Sequence, residues 1–195
     1  MSYASLLELK QAIGRENTAN DVDLQLRLDA ATRWIDKECH RTFVLDAADT
    51  TRLFRASPDG SVSVPDLVSV TSIKIDTNGD RSYATTLAAT DYSLEPFTEP
   101  RYQRVVLWPT SSYAFLDRLV QIVGKFGYVV NGAPPDDIKL ACLMQASRLN
   151  IRRTTPLGVL QSTDLGQFTR ISSSDPDVMA LLKPYVRSAA QWIVV

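Results

Sequence analysis

The sequence predicts an α+β fold: a mainly helical body of about four helices carrying an inserted small antiparallel β-sheet or barrel lobe. Apolar residues recur at helical spacing near the N-terminus, at Leu24, Leu28, Ala31 and Ile35. The middle of the chain then changes to short stretches rich in Val, Ile, Thr and Tyr, punctuated by Gly, Pro and Asn. Helical spacing returns after Pro134-Pro135. The expected divisions are residues 1–41 for the N-terminal helices, 42–130 for the β-rich insertion, and 131–195 for the C-terminal helices, loop and apolar tail that complete the body.

Ser5-Leu6-Leu7-Glu8 opens the first helix as a capping box, in which Ser5 accepts from first-turn amides and Glu8 reaches back. Gly14 is a natural left-handed stop for it. A second start follows at Thr18-Ala19-Asn20-Asp21, and the stripe from Leu24 to Ile35, widened by Ala30 and Trp34, carries that helix to about Cys39. Candidate strands are 51–55, 61–64, 68–76, 91–94, 104–108 and 119–128. In the third, the apolar phase slips between Val70 and Ile73, which predicts a bulge. Thr77-Asn78-Gly79-Asp80 is a hairpin-turn signal. In the last strand Val120, Ile122, Phe126 and Tyr128 share one face, with Gln121 and Lys125 on the other.

Pro135 in the first turn, followed by Asp136 and Asp137 at the positive end of the dipole, starts the third helix. Its apolar face is Ile138, Ala141, Cys142, Gln145 and Leu149, flanked by Leu140, Met144 and Ser147. Arg148, Arg152 and Arg153 suit its negative end. Residues 154–174 are polar and without period, longer than a usual loop, and loops of that length are functional or disordered. Asp175-Pro176 opens a last helix with Val178, Leu181, Leu182, Tyr185 and Val186 on one face, and Pro184 is expected to kink it.

Composition excludes several classes of function. With 21 Lys plus Arg against 22 Asp plus Glu, the net charge is −1, which gives no overall attraction to nucleic acid or anionic lipid. No apolar run approaches the roughly 20 residues that span a bilayer. No basic start precedes an apolar run, so a signal peptide is not expected. The two cysteines, Cys39 and Cys142, form no CxxC pair and fall on predicted apolar helix faces, where a thiol acts as a small hydrophobe.

The search for chemistry is negative. Gly124-Lys125 resembles the end of a phosphate loop but lacks both the earlier glycine and the following Ser or Thr. There is no GxSxG elbow. His40 is the single histidine, which excludes zinc motifs needing two; it suits the negative end of the second helix instead. Asp136 and Asp137 are adjacent on a helix and do not face each other, and Arg148, Arg152 and Arg153 read as a solvated helix end rather than a phosphate clamp. No catalytic residue, cofactor site or metal site is expected. The terminus Gln191-Trp192-Ile193-Val194-Val195 is unusual, because final residues are normally frayed and wet. Either it folds back on its own domain or it docks on another chain.

Several segments resemble phage head–tail connector (adaptor) proteins. They are Tyr3-Ala4-Ser5-Leu6-Leu7-Glu8-Leu9-Lys10, Asp29-Ala30-Ala31-Thr32-Arg33-Trp34-Ile35-Asp36 with Cys39-His40-Arg41-Thr42-Phe43, and Val64-Pro65-Asp66-Leu67-Val68-Ser69-Val70-Thr71-Ser72-Ile73. Gly124-Lys125-Phe126-Gly127-Tyr128 followed by Pro135-Asp136-Asp137-Ile138-Lys139-Leu140-Ala141 continues the likeness, as does Asp175-Pro176-Asp177-Val178 with Leu181, Leu182 and Tyr185. Phe126 stands where the family commonly has tryptophan. The ordered set runs from about residue 3 to 187.

The resemblance implies a non-enzymatic virion protein at the neck, made in the host bacterial cytoplasm. It would form a ring, usually of twelve copies, below the portal protein, with a stopper or tail-completion protein on the tail side. DNA would pass through the lumen without sequence-specific binding, with no cofactor and no membrane contact. The C-terminal segment would reach the portal. The residues expected to meet the portal or the neighbouring subunit are Gln161, Leu165, Phe168 and Ile171 in the long polar segment, and Trp192, Ile193, Val194 and Val195 in the tail. The alternatives are another phage neck or tail-completion protein of the same build, or a small hydrolase or ligand-binding domain, which would need a deep pocket with converging polar groups.

Overall fold

The computed structural model describes residues 2–97, 101–108, 118–129, 132–154, 159–161, 168–170 and 175–187. They form an α+β protein in two compact units, one made of residues 2–40 with 134–187 and the other of residues 41–133.

The helical unit is built on α2 (Asp21–Cys39) and α3 (Asp136–Thr154). The two run antiparallel: Asp23 meets Arg153 at one end, and Thr32 Oγ1 lies 3.6 Å from Cys142 Sγ midway. Leu24, Leu28, Ala31, Ile35 and Cys39 of α2 are buried with Ile138, Ala141, Cys142 and Ala146 of α3. Each large side chain sealed there contributes about 1.5–3 kcal/mol. α1 (Leu6–Ala12) starts on the capping box, the Glu8 amide donating to Ser5 Oγ at 3.2 Å and the Ser5 amide to Glu8 Oε2 at 2.8 Å. Gly14 then turns left-handed at φ 64°, and the Arg15 amide reaches Lys10 O at 2.9 Å. α4 (Pro176–Leu182) is capped by Asp175 with Pro176 in its first turn, and buries Val178 and Leu182. Its last turn passes into a 3-10 turn at Lys183–Tyr185, so Pro184 tightens the end of the helix instead of kinking its middle. The Arg187 amide then donates to Cys39 O at 3.0 Å.

The β unit is one antiparallel sheet of β1 (Thr50–Arg55), β2 (Ser61–Ile75), β3 (Thr85–Thr86), β4 (Tyr92–Glu95), β5 (Tyr102–Leu107) and β6 (Leu119–Phe126). Its order is β1-β6-β2-β5-β4, with β3 pairing β2, so among the described residues it is an open sheet, with no pairing that closes β4 on β1. Phe54, Val62, Val64, Leu67, Ile73, Ile75, Val105, Val120, Ile122 and Phe126 form its core. β6 alternates along its whole length, burying Val120, Ile122, Gly124 and Phe126.

Several expectations need correction. The candidate strands 61–64 and 68–76 are one strand running through Pro65. Pairing of β2 with β5 is interrupted between Ser63 and Leu67, where β2 passes to β6 as its partner, so no ladder amide is required of the proline. The bulge expected after Val70 is present as a register shift between Val70 and Ser72. The Asn78-Gly79 turn exists, but within a longer connection held by the Asp76 carboxylate, which accepts from Gly79 N–H at 2.8 Å and Arg81 N–H at 2.9 Å. Tyr128 lies past the end of β6, because Gly127 at φ 144° breaks the strand. Pro135 precedes the first turn of α3 instead of occupying it, its carbonyl accepting from Lys139 N–H at 3.0 Å. On α3 the buried face includes Ala146 and Asn150, and Leu149 is half-buried. The segment 154–174 is not wholly loop. β7 (Val159–Gln161) and β8 (Phe168–Arg170) pair antiparallel within it.

Candidate assembly surfaces

The residues expected to meet partners are placed unevenly. Gln161 and Phe168 stand opposite each other in the β7–β8 register, so the backbone brings these two together. Leu165, Ile171, Trp192, Ile193, Val194 and Val195 lie outside the described residues.

The groups considered for chemistry are accounted for by local structure. His40 is exposed at the C-terminal end of α2 in the left-handed conformation, its amide bonded to Asp36 O. Arg148 pairs with Asp175 at 3.0 Å, and Arg153 with Asp23, so two of the three arginines at the end of α3 already hold carboxylates. Asp137 accepts from the Tyr185 hydroxyl at 3.1 Å. Burial pushes the Cys142 thiol up, against a smaller opposing effect of the Thr32 hydrogen bond, which keeps it protonated and unreactive. The hydrogen bond from Lys139, with those from Ser5, holds the Glu8 carboxyl down to about 2. Among the described residues no group of three or more His, Cys, Asp or Glu could hold a metal ion, and no helix is long and apolar enough to cross a membrane.

In the β unit the polar cluster is architectural. Arg41 lies 3.5 Å from the buried Asp66 carboxylate, and both Arg41 and Arg101 stack over the Tyr128 ring, at 4.9 and 4.7 Å from its centroid. The Tyr128 amide donates to Thr42 O and the Gly127 amide to Asp66 O. The cluster therefore fastens the chain leaving β6 to the chain that enters the unit.

What the sequence reading did not find is apolar surface on the helical unit. On α3, Leu140, Met144 and Ile151 line an open groove of about 660 Å³ together with Leu143, Ala12 and Pro176. Leu140 is 48% exposed and Ile151 50%. Its charged members, Arg148 and Asp175, are paired with each other, and Ser147 is the other polar residue among its described walls, whereas a small-molecule site needs several converging polar groups. On α2, Val22 is 88% exposed and Leu26 62%. The signal was present in the spacing. Val22 and Leu26 sit two residues before Leu24 and Leu28, about half a turn away from the buried stripe, and Leu140, Met144 and Ile151 make a second apolar line on α3, interrupted by Ser147.

No protein-family model and no curated sequence matches the chain. Solved structures do match its fold. A chain from the neck of an empty gene transfer agent particle, computed with C6 symmetry, superimposes with a TM-score of 0.59 at 16% identity over 94% of this chain and 89% of that one. A chain from the virion of the native gene transfer agent particle gives 0.60 at 17% identity over 94% and 89%. One from the neck of the native particle, computed with C12 symmetry, gives 0.54 at 17% over 94% and 88%.

Proposed function

We propose that this chain is a structural subunit of the neck of a phage-like particle: a head-to-tail adaptor that forms a ring below the portal, completes the DNA-filled head and offers the tail its attachment site. The observation that carries the reading is the shared fold with neck chains of gene transfer agent particles, spanning both the helical and the β unit. Two physical features support it. The polar clusters are internally paired, which leaves little chemistry to perform. The near-neutral charge suits a conduit that must let DNA slide without gripping phosphate.

In this reading the partners are the portal protein, a stopper or tail-completion protein on the tail side, and further copies of the chain, twelve in the adaptor case. The segment 161–171 and the tail Trp192, Ile193, Val194 and Val195 contact the portal or the neighbouring subunit. Cryo-imaging of particles with this chain labelled tests the placement: density for it at the head–tail junction is expected, and its location elsewhere in the particle overturns the proposal. Deleting residues 188–195 tests the tail. The truncated protein should fold with an unchanged melting curve yet leave heads unjoined to tails, and intact infectious particles from that deletion would refute the role.

A further inference from the structure

We propose that the outer face of α2 in one copy packs on the outer face of α3 in the next, so that the ring is a continuous palisade of alternating α2 and α3 helices. This rests on the neck-ring reading and names the contact that closes it. α2 and α3 bury their facing sides against each other, so their outer sides point in opposite directions. Both outer sides are apolar. α2 presents the exposed side chains of Val22 and Leu26, and α3 presents Leu140, Met144 and Ile151 along the groove walled by Ala12 and Pro176. Two different apolar faces on opposite sides of the helical pair make a head-to-tail interface, the kind that cyclic rings use, and not the self-complementary patch of a two-fold dimer.

Charge fixes the direction. Along the outer line of α2 the apolar pair is followed by exposed Arg33 and Lys37, while the outer line of α3 begins at exposed Asp136 and runs into Leu140, Met144 and Ile151. Laid antiparallel, Val22 meets Ile151 at one end and Lys37 meets Asp136 at the other, with Leu26 opposite Ser147 and Arg33 opposite Leu140 between them; laid parallel, Asp136 would face Val22 and Lys37 would face Ile151. Both lines run 15 residue steps from end to end, about 22 Å. The resulting register sets Val22 near Ile151, Leu26 near Ser147 and Lys37 near Asp136. It lies within about one turn of the register inside one copy, where Asp23 meets Arg153 and Thr32 meets Cys142. Rotation about a ring axis along the helices preserves helix direction, so the antiparallel alternation continues unbroken around the ring.

Full-length protein carrying Leu26→Cys and Ser147→Cys, supplied to particles lacking the chain and treated with a short bis-maleimide, tests the pairing. Cys39 and Cys142 are buried and should not react. The double variant should give a ladder of multimers up to the closed ring, and each single variant only monomer. Dimers from Leu26→Cys alone would mean a two-fold contact and overturn the pairing. Neck-located protein that gives no ladder overturns the pairing while leaving the neck reading intact; absence of the chain from necks overturns both. A charge reversal guards against damage from the cysteines. Lys37→Asp should lower ring formation roughly threefold per contact, the size of an exposed ion pair, and adding Asp136→Lys should restore it. Failure of that rescue also overturns the pairing.

Discussion

Replacing Gly124 with alanine tests how tightly β6 is held against β2. Gly124 lies mid-strand, opposite Thr50 of β1 and Val70 of β2. A Cβ there would sit 2.1 Å from Ser69 O, 3.1 Å from Ser69 C and 3.3 Å from a Leu67 methyl. A relaxed carbon–oxygen contact is about 3.3 Å, so the two strands must part by about 1 Å beside the bulge. The atom in the way is backbone, which cannot swing aside. Overpacking of this kind costs about 1–3 kcal/mol, and a weakened ladder bond adds about 1. Loss of glycine's freedom in the unfolded chain returns about 0.4–1 kcal/mol. The net destabilisation is about 1–3.6 kcal/mol. Hydrogen exchange at the β2 and β6 amides reads it within the β unit, as protection lowered by about 5- to 400-fold where exchange follows opening of that unit. Gly60→Ala is the comparison, since nothing lies within 4 Å of its Cβ and only its φ of 77° is penalised, at about 1–2 kcal/mol. If Gly124→Ala loses no more protection than Gly60→Ala, the close-approach argument is wrong.

Two further perturbations probe the helical unit. Leu28→Ala removes a fully buried side chain between α2 and α3 and should cost about 3 kcal/mol in urea unfolding; a loss under 1 kcal/mol would mean that the unit collapses into the space. Glu8 has a folded pKa depressed to about 2 from a usual value of 4.5, so its contribution is present above pH 4.5 and is lost as pH falls towards 2. Glu8→Gln keeps the capping-box hydrogen bond but loses the charge that meets Lys139. Its stability should therefore fall less than that of the parent between pH 4.5 and 2, and parallel acid-unfolding curves would exclude the pairing as the cause.

The parts of the fold legible in the sequence are those with a long period or a local device. The α2 stripe, the Ser5 box, the Asp175-Pro176 start and the alternation of β6 each repeat a physical rule often enough to be read. β3 has two residues and β7 and β8 three each, too short for period-2 alternation to show. Pro65 disguised β2 as two strands because a proline mid-strand normally forbids pairing; only the change of partner at that point makes it harmless. Tyr3 and Ala4 are buried ahead of α1, with the Tyr3 amide on Thr32 Oγ1, a tertiary contact no local pattern announces. Gly124 is the instructive case. As a motif it pointed weakly at phosphate, whereas its position explains it by steric need alone: a neighbouring backbone occupies the place of a side chain. The assembly surfaces were half legible. The second apolar line on α3 was visible only as residues flanking the first, and on a single helix a stripe of doubled width is indistinguishable from a deeper core.

The size of these surfaces bears on when a ring can form. Val22, Leu26, Leu140 and Ile151 are already partly covered, so each would gain less than the roughly 1.5–3 kcal/mol of complete burial. One contact between two copies is thus worth a few kcal/mol, against an association cost of about 4–15 kcal/mol. Two free copies should not hold together. A subunit inside a closed ring uses both faces, however, and copies first gathered on a common surface have already lost much of their translational freedom. The same apolar residues can therefore leave the free protein monomeric and still close a ring once a template collects the subunits. Sedimentation of the purified chain should show monomer at micromolar concentration, with rings only in the presence of the head. Stable rings from the isolated protein would show that the helical faces bind far more strongly than their exposed area allows.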